Sequence, residues 1–500
     1  MTDLRPSPRQ LGLEFPGTPG TTNSIVDVAD VSVGYWHHDG LNSEGRPVRT
    51  GVTAILPMGD APLLYACPAA IHSQNGNGEM TGSHWIRDSG RMSSPVLITN
   101  THAVGAAHSG AVAWMVECYK HLFENDHFWA MPVVAETYDG FTNDILAMPI
   151  RPEHAKWALE QAWTYAQKAR HEGKTPPIQG NVGGGMGMQT FGFKGGSGSS
   201  SRKIQWPGLA GTIGVFVQSN FGSREQMSWR GRPLGRSWPV PSPFDAVAVE
   251  TGSLITIVAT DLPLDAKQLA LVARRVPMGV ALLGGSAGNY SGEITLAFST
   301  ANAREARGVI SPGAQIHVTE VLDEAALDPV YEATVQATEE AILNAMFAAR
   351  SMPTHKPPGT LQALDGEMSS RIRQHRERRP ADWALIEEPI KLARVLRESA
   401  RAERCLLVDC LTLWLTNLLM LEDDARLIAE REALLDGLSE LPGRIILVSN
   451  ETGLGVVPMG ELTRRYVDEA GWLHQAIAER CQRVVFTVAG LPMLLKGAPL

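Results

Sequence analysis

Residues 244–264 read FDAVAVETGSLITIVATDLPL, with the pair Gly252-Ser253 set between two apolar runs. A serine hydroxyl attacks poorly until a base removes its proton, and neither a GxSxG elbow nor a Ser-His-Asp signature surrounds Ser253. Cleavage of the peptide bond ahead of it would supply a base, because a free α-amine titrates at about 7.7 to 8.0, close to neutrality. Gly252 suits such a cut: without a Cβ it tolerates unusual backbone angles and lets the hydroxyl approach its carbonyl. Taken alone, the pair also reads as an ordinary turn. Downstream, GNYSGEITLAFSTAN places Ser291 and Glu293 two apart at the start of a strand-like run, where their side chains share one face and can form a polar cluster. Upstream, GTIGVFVQSN ends on Asn220, whose amide can donate to a developing oxyanion or cap a turn.

The elements that must position these residues follow from periodicity. Leu254 to Ala259 alternates and is rich in Ile, Val and Thr, which predicts a largely buried strand entered directly after the glycine. Helices are expected over 151–173 and 328–351, and from Thr22 to about Arg350 glycine-punctuated apolar segments predict packed α and β layers. The segment 351–366 holds three prolines and little periodicity, so 1–350 reads as one domain, 351–360 as a junction and 361–500 as another. Beyond the junction the runs CLLVDC, RIILVSN and RVVFTVAG alternate with helical stretches, as in a parallel sheet built from βαβ units.

Five hundred residues exceed what one core usually organises. A net charge of -9 argues against a chain-wide nucleic-acid surface, although RIRQHRERR, 371–379, is a local basic patch. The five cysteines follow no CxxC spacing, so neither a zinc site nor a disulfide framework is expected, and a reducing compartment fits. The absence of an apolar leader and of any run of about 18 apolar residues makes the cytoplasm the expected location, with no membrane partner. His37, His38, His102 and His108 lack ligand spacing, so no catalytic metal is expected. HEGKTPP is not a P-loop: Lys168 stands where the leading glycine is required, and two prolines remove N–H donors.

The pieces TNSIVDV, RTGVTAILP, NGNGEMTGSHWI, GNVGGGMGM, FKGGSGSSSR, VQSNFGSR, GSLITIVATDLPL and SGEITLAFSTAN occur in an order that resembles the L-aminopeptidase/D-esterase (DmpA-like) and β-peptidyl aminopeptidase family over about residues 22–350. The resemblance implies an αββα sandwich of N-terminal-nucleophile type that matures by cutting itself between Gly252 and Ser253. It implies Ser253 as nucleophile, Ser291 and Glu293 as its polar partners and Asn220 as oxyanion donor. Within VVAETYDGFTNDI it points to Tyr138 as a site residue and to Glu136 as an anchor for the substrate's amino group, although either also reads as a structural hydrogen-bonding residue. The expected substrates are small peptides, amides or esters, no cofactor is needed, and a homo-oligomer of cleaved protomers is implied.

From about 361 to 497 the stretches QALDGEMSSRIRQHRERRPADWALIEEP, CLLVDCLTLWLTNLL and ILVSNETGLGVVP resemble the bifunctional adenosylcobinamide kinase/adenosylcobinamide-phosphate guanylyltransferase of cobalamin assembly. There the histidine of the RIxxH segment accepts GMP, and here it falls on His375. Arg376, Glu377, Arg378, Arg379, Glu387 and Asp409 align with nucleotide-contacting positions. A histidine beside arginines can attack a phosphate whose charge they neutralise, and the plainer alternative is an exposed charge run. That family opens with a strand, a P-loop and a helix, and none precedes Gln362, so a partial P-loop-like parallel α/β domain without its phosphate cradle is expected. GTP or ATP is its implied cofactor. The leading expectation is a self-processing serine aminopeptidase; the rivals are a guanine-nucleotide enzyme and an inactive fusion.

Overall fold

The computed structural model describes residues 5–498 apart from 60, 62, 126–127, 237–241, 245–251, 307–315, 365–382, 385, 387, 420, 422, 454–460 and 489–490. The chain divides into two compact units, 1–378 and 379–500.

In the first unit the strands are β1 (Ser32–Leu41), β2 (Pro47–Leu56), β3 (Tyr65–Gly76), β4 (Arg91–Met92), β5 (Val96–Asn100), β6 (Val133–Thr137), β7 (Gln189–Thr190), β8 (Phe193–Lys194), β9 (Gly196–Trp206), β10 (Leu209–Asn220), β11 (Ser253–Thr260), β12 (Gly292–Ser299), β13 (Arg304–Glu305), β14 (Met352–Thr354) and β15 (Gly359–Leu361). The helices are α1 (Ser83–Ser89), α2 (Val104–Cys118), α3 (Lys120–Asn125), α4 (Pro152–Glu172), α5 (Ala266–Ala273), α6 (Val276–Leu282) and α7 (Asp328–Ala348). Both long helices expected from periodicity form, α4 and α7, each with proline in its first turn, where the missing N–H costs nothing.

One sheet has the order β1-β2-β5-β6 and the other β13-β3-β12-β11-β10-β9, with β4 added beside β3. Their side-chain alternation builds three apolar layers. Ile55, Ile98 and Ala135 of the first sheet meet Phe216, Ile255, Ile257 and Phe298 of the second in the space between them. Val52, Leu97 and Val134 turn the other way, onto Trp114 and Leu159 of α2 and α4. Leu254 and Val258 likewise pack under Leu269, Val280 and Ile342 of α5, α6 and α7. The result is the αββα sandwich. A buried ion pair, Arg202 with Glu340 at 2.7 Å, pins α7 to β9.

The proline-bearing segment after α7 pairs β14 with β15; Leu361 at the end of β15 and Leu364 beyond it are buried, Leu364 within the helix-side core.

In the second unit Cys405–Asp409 pairs in parallel with Arg444–Val448. Val484–Val488, read from sequence as a further strand of that sheet, instead pairs antiparallel with Leu491–Lys496. Helices Leu392–Ser399, Leu411–Leu419, Asp424–Gly437 and Glu461–Arg480 accompany them, with Leu396, Leu415, Leu418 and Leu473 in a separate core. Among the described residues no helix is long and apolar enough to cross a membrane.

Candidate active site

Ser253 opens β11, the second sheet's inner strand, directly after Gly252. It is paired with Asn220 at the end of antiparallel β10 and with Gly292 at the start of parallel β12. Three strand ends therefore meet at one point. Along β11 the side chains of Ile255 and Ile257 enter the space between the sheets, and alternation sends Ser253 the same way. Its hydroxyl is buried and has no hydrogen-bond partner among the described residues. Other buried hydroxyls, those of Ser32, Tyr35 and Thr256, are also without a partner among the described residues, so what sets Ser253 apart is its place where the three strand ends meet.

The Gly252 carbonyl accepts a hydrogen bond from the Gly292 N–H at 3.0 Å. Glycine at 252 is a matter of space: a Cβ there would lie 2.5 Å from the Asn220 carbonyl oxygen and 2.8 Å from the Phe221 Cα. Gly292 is equally confined, since its Cβ would lie 2.1 Å from the Asn77 carbonyl oxygen.

Ser291 donates to Glu293 Oε1 at 3.3 Å, so the two form one polar pair. Glu293 lies beside Leu254 in the register, on the opposite face of the sheet from the Ser253 hydroxyl. The loop carrying Ser291 is tied down by two asparagines. Asn75 Nδ2 donates to the Ala287 and Gly288 carbonyls, and Asn77 Nδ2 donates to that of Tyr290 at 2.7 Å. Neither asparagine was singled out from sequence, although NGNG was a visible motif.

Asn220 is fully buried, and its partners fix the orientation of its amide. The Gln189 N–H donates to Oδ1 at 3.0 Å, and Nδ2 donates to the Tyr138 carbonyl at 2.9 Å, spending one of its two N–H groups. Tyr138 is thus joined to the cluster by its backbone. Its phenol is 41% exposed, stands edge-on to Phe141, and titrates above its usual range because of burial and then Asp139.

Glu136 ends up almost wholly buried in β6 of the facing sheet. Oε1 accepts from the Glu79 N–H at 3.1 Å and Oε2 from the Thr101 hydroxyl. Burial raises its pKa, and those two bonds oppose the rise. Gly78 links it to the other strand ends: a Cβ there would lie 3.3 Å from Glu136 Oε1 and 3.7 Å from the Gly292 Cα. All six first-unit residues expected from sequence, Gly252 aside, therefore lie at neighbouring strand ends of the two sheets.

In the second unit Asp409 is exposed at the end of Cys405–Asp409. His375, Arg376, Glu377, Arg378, Arg379 and Glu387 lie outside the described residues. Among the described residues no three His, Cys, Asp or Glu side chains gather as a metal site would require.

Residues 23–357 match peptidase family S58, and residues 357–495 match the cobinamide kinase/cobinamide phosphate guanyltransferase family. A β-peptidyl aminopeptidase of Sphingosinicella microcystinivorans is 39% identical over 365 residues, 69% of this chain and 87% of that protein. The solved L-aminopeptidase D-Ala-esterase/amidase of Ochrobactrum anthropi, described as a prototype serine aminopeptidase and a variant of the N-terminal-nucleophile hydrolase fold, superimposes with a TM-score of 0.67 at 40% identity, covering 75% of this chain and 99% of that one. A bifunctional adenosylcobalamin biosynthesis protein of Pseudomonas aeruginosa is 75% identical over 141 residues, 28% of this chain and 82% of that protein. Three strand ends that meet at a buried, unpartnered serine and the two matches agree: the chain belongs to peptidase family S58, fused to a segment of the cobinamide kinase/cobinamide phosphate guanyltransferase family.

Proposed function

We propose that this chain is an aminopeptidase that cuts itself between Gly252 and Ser253 and then uses Ser253 as its nucleophile. The observation that carries this is the buried, unpartnered Ser253 hydroxyl beside a Gly252 carbonyl already bound by the Gly292 N–H. In the first step Ser253 Oγ attacks the Gly252 carbonyl carbon, and the hydrogen bond from Gly292 favours the negative charge developing on its oxygen. Collapse breaks the C–N bond as the proton from the hydroxyl passes to the departing Ser253 nitrogen, and leaves an ester between Gly252 and Ser253 Oγ. Water then hydrolyses the ester, giving a Gly252 carboxylate and a Ser253 with free amine and hydroxyl.

The mature site repeats this on a substrate. Ser253 Oγ attacks the substrate carbonyl, the Ser253 α-amine takes its proton, and the unspent N–H of Asn220 donates to the oxyanion. The α-ammonium returns the proton to the departing amine or alcohol, and water releases the acyl group. In this reading Ser291 and Glu293 hold the new α-amine and offset its charge when protonated. Glu136 supplies a buried carboxylate for the amino group of the substrate, which selects amides, esters and small peptides with a free N-terminus. No cofactor enters any step. Ser253→Ala tests the whole scheme: both self-cleavage and release of amine from aminoacyl amides are lost, and continued release by this variant would overturn it.

For the C-terminal segment we propose neither kinase nor efficient guanylyltransferase activity. The residues ahead of it do not fit a nucleotide triphosphate: they form α7, β14 and β15 of the first unit, and no glycine loop with lysine and serine stands there. Without that cradle His375 has no phosphate presented to it. Incubation with radiolabelled GTP tests this; stoichiometric, acid-labile label that disappears in His375→Ala would refute it.

A further inference from the structure

The two glycine loops of the first unit, GNVGGGMGM and FKGGSGSSSR, enclose the side chain of Lys194. Lys194 is fully buried, and its Nζ donates to the carbonyl oxygens of Met188 and Gly195 at 2.8 Å each, with that of Gly185 at 3.4 Å. No carboxylate pairs with it among the described residues, and burial pushes the ammonium down to about 7. Burying a cation is costly, and the converging carbonyl dipoles, together with the charge of Asp39, oppose that cost. Removing the ammonium takes a donor from all three carbonyls: those of Gly185 and Met188 keep only the backbone N–H groups of Met188 and Gly195, at 3.3 and 3.0 Å.

Their convergence depends on glycine. A Cβ at Gly185 would lie 2.2 Å from the Ser197 N, and one at Gly195 2.3 Å from Thr190 Oγ1 and 2.6 Å from the Ser219 carbonyl oxygen. The loop is therefore pressed against β9 and the end of β10. It is also stitched there residue by residue. Gln189 pairs with Lys194 across β7 and β8, and its N–H donates to Asn220 Oδ1 at 3.0 Å. Thr190 Oγ1 donates to the Ser219 carbonyl, and the Phe191 N–H to that of Phe221 at 2.7 Å. The ammonium thus sits one strand pair away from the hydrogen bond that orients the Asn220 amide.

We propose that Lys194 is a positioning residue of the hydrolytic site: by gathering the Gly185, Met188 and Gly195 carbonyls it holds the Gln189 N–H on Asn220 Oδ1, and so aims the other end of that amide at the oxyanion. This rests on the reading of Asn220 given above. Removing one oxyanion donor costs about a hundredfold to a thousandfold in kcat, and misplacing one by about 1 Å costs about a hundredfold.

The test is a double-mutant cycle on the full-length protein, with kcat and KM for an aminoacyl p-nitroanilide measured per cleaved chain. Lys194→Met lowers kcat about a hundredfold while KM stays within about threefold, because the defect lies in the transition state. Combined with Asn220→Ala it adds almost nothing to the loss caused by Asn220→Ala alone, since both act through one amide. A purely structural role gives losses that multiply, and that result, or an unchanged kcat in Lys194→Met, overturns the proposal. If Asn220→Ala alone leaves kcat unchanged, the fault lies in the reading of Asn220. Lys194→Gln, which keeps an amide donor at shorter reach, enters the same cycle where Lys194→Met does not accumulate as folded protein, with the same two outcomes deciding.

Discussion

Replacing Gly252 by alanine separates making the nucleophile from using it. The added methyl would lie 2.5 Å from the Asn220 carbonyl oxygen, where ordinary contact begins at 3.4 Å, and 2.8 Å from the Phe221 Cα. Both neighbours are backbone atoms, so no side-chain rotation relieves the clash, and the Gly252 carbonyl or the end of β10 must move by about 0.9 Å. That carbonyl is the proposed target of Ser253 Oγ, held at 3.0 Å by the Gly292 N–H. A displacement of this size at a reacting centre costs about a hundredfold in rate, equivalent to about 2.7 kcal/mol. Once the bond is broken, residue 252 is a chain end and no longer part of the reacting set. Gly252→Ala should therefore accumulate uncut chain, while the cut fraction hydrolyses substrate at the wild-type kcat. A gel time course gives the first quantity and amine release per mole of N-terminal serine gives the second. Cutting at the wild-type rate would refute the steric reasoning.

Three further outcomes follow from the same geometry. Glu293→Gln removes the charge that accepts from Ser291, worth about 1.5 to 3 kcal/mol, so kcat should fall about tenfold to a hundredfold with the protein still soluble; an unchanged kcat counts against the pair. A chain ending at residue 378 should hydrolyse substrate normally, whereas one ending at 350 loses Leu361 and Leu364 from their buried positions, about 3 to 6 kcal/mol, and should not fold; activity assays on the two truncations decide. Asp139 is fully buried, and burial, opposed by bonds from Thr50, Asn143 and Asn100, raises its pKa from 3.8 to about 6. Between those values the folded chain keeps a proton that the unfolded chain releases, so this group makes stability fall as pH rises through the window, by on the order of 3 kcal/mol. Urea midpoints at pH 4 and pH 7 should show that slope in the wild type and lack it in Asp139→Asn.

The strand behind Ser253 was legible because an alternating run of Ile, Val and Thr follows a glycine, and α4 and α7 because apolar residues recur at helical spacing. The serine itself stood out only as an unexplained Gly-Ser junction until the neighbouring motifs were set beside it. Roles carried by the backbone were hidden: Tyr138 reaches Asn220 through its carbonyl, and Asn75 and Asn77 act by holding carbonyls of a loop more than two hundred residues away. Lys194 gave no signal either, because a lysine amid glycines reads as a solvated loop, and only the folded chain brings three carbonyls around it. In the second unit, local patterning identified the strand Val484–Val488 but not its partner, since pairing is set by what else the sheet contains.

The mass of the purified protein tests the central claim most directly. The account predicts that the 54.1 kDa chain is found as two pieces of nearly equal size, residues 1–252 and 253–500, the second beginning Ser-Leu-Ile-Thr. A single intact chain that hydrolyses aminoacyl amides at full rate would contradict it.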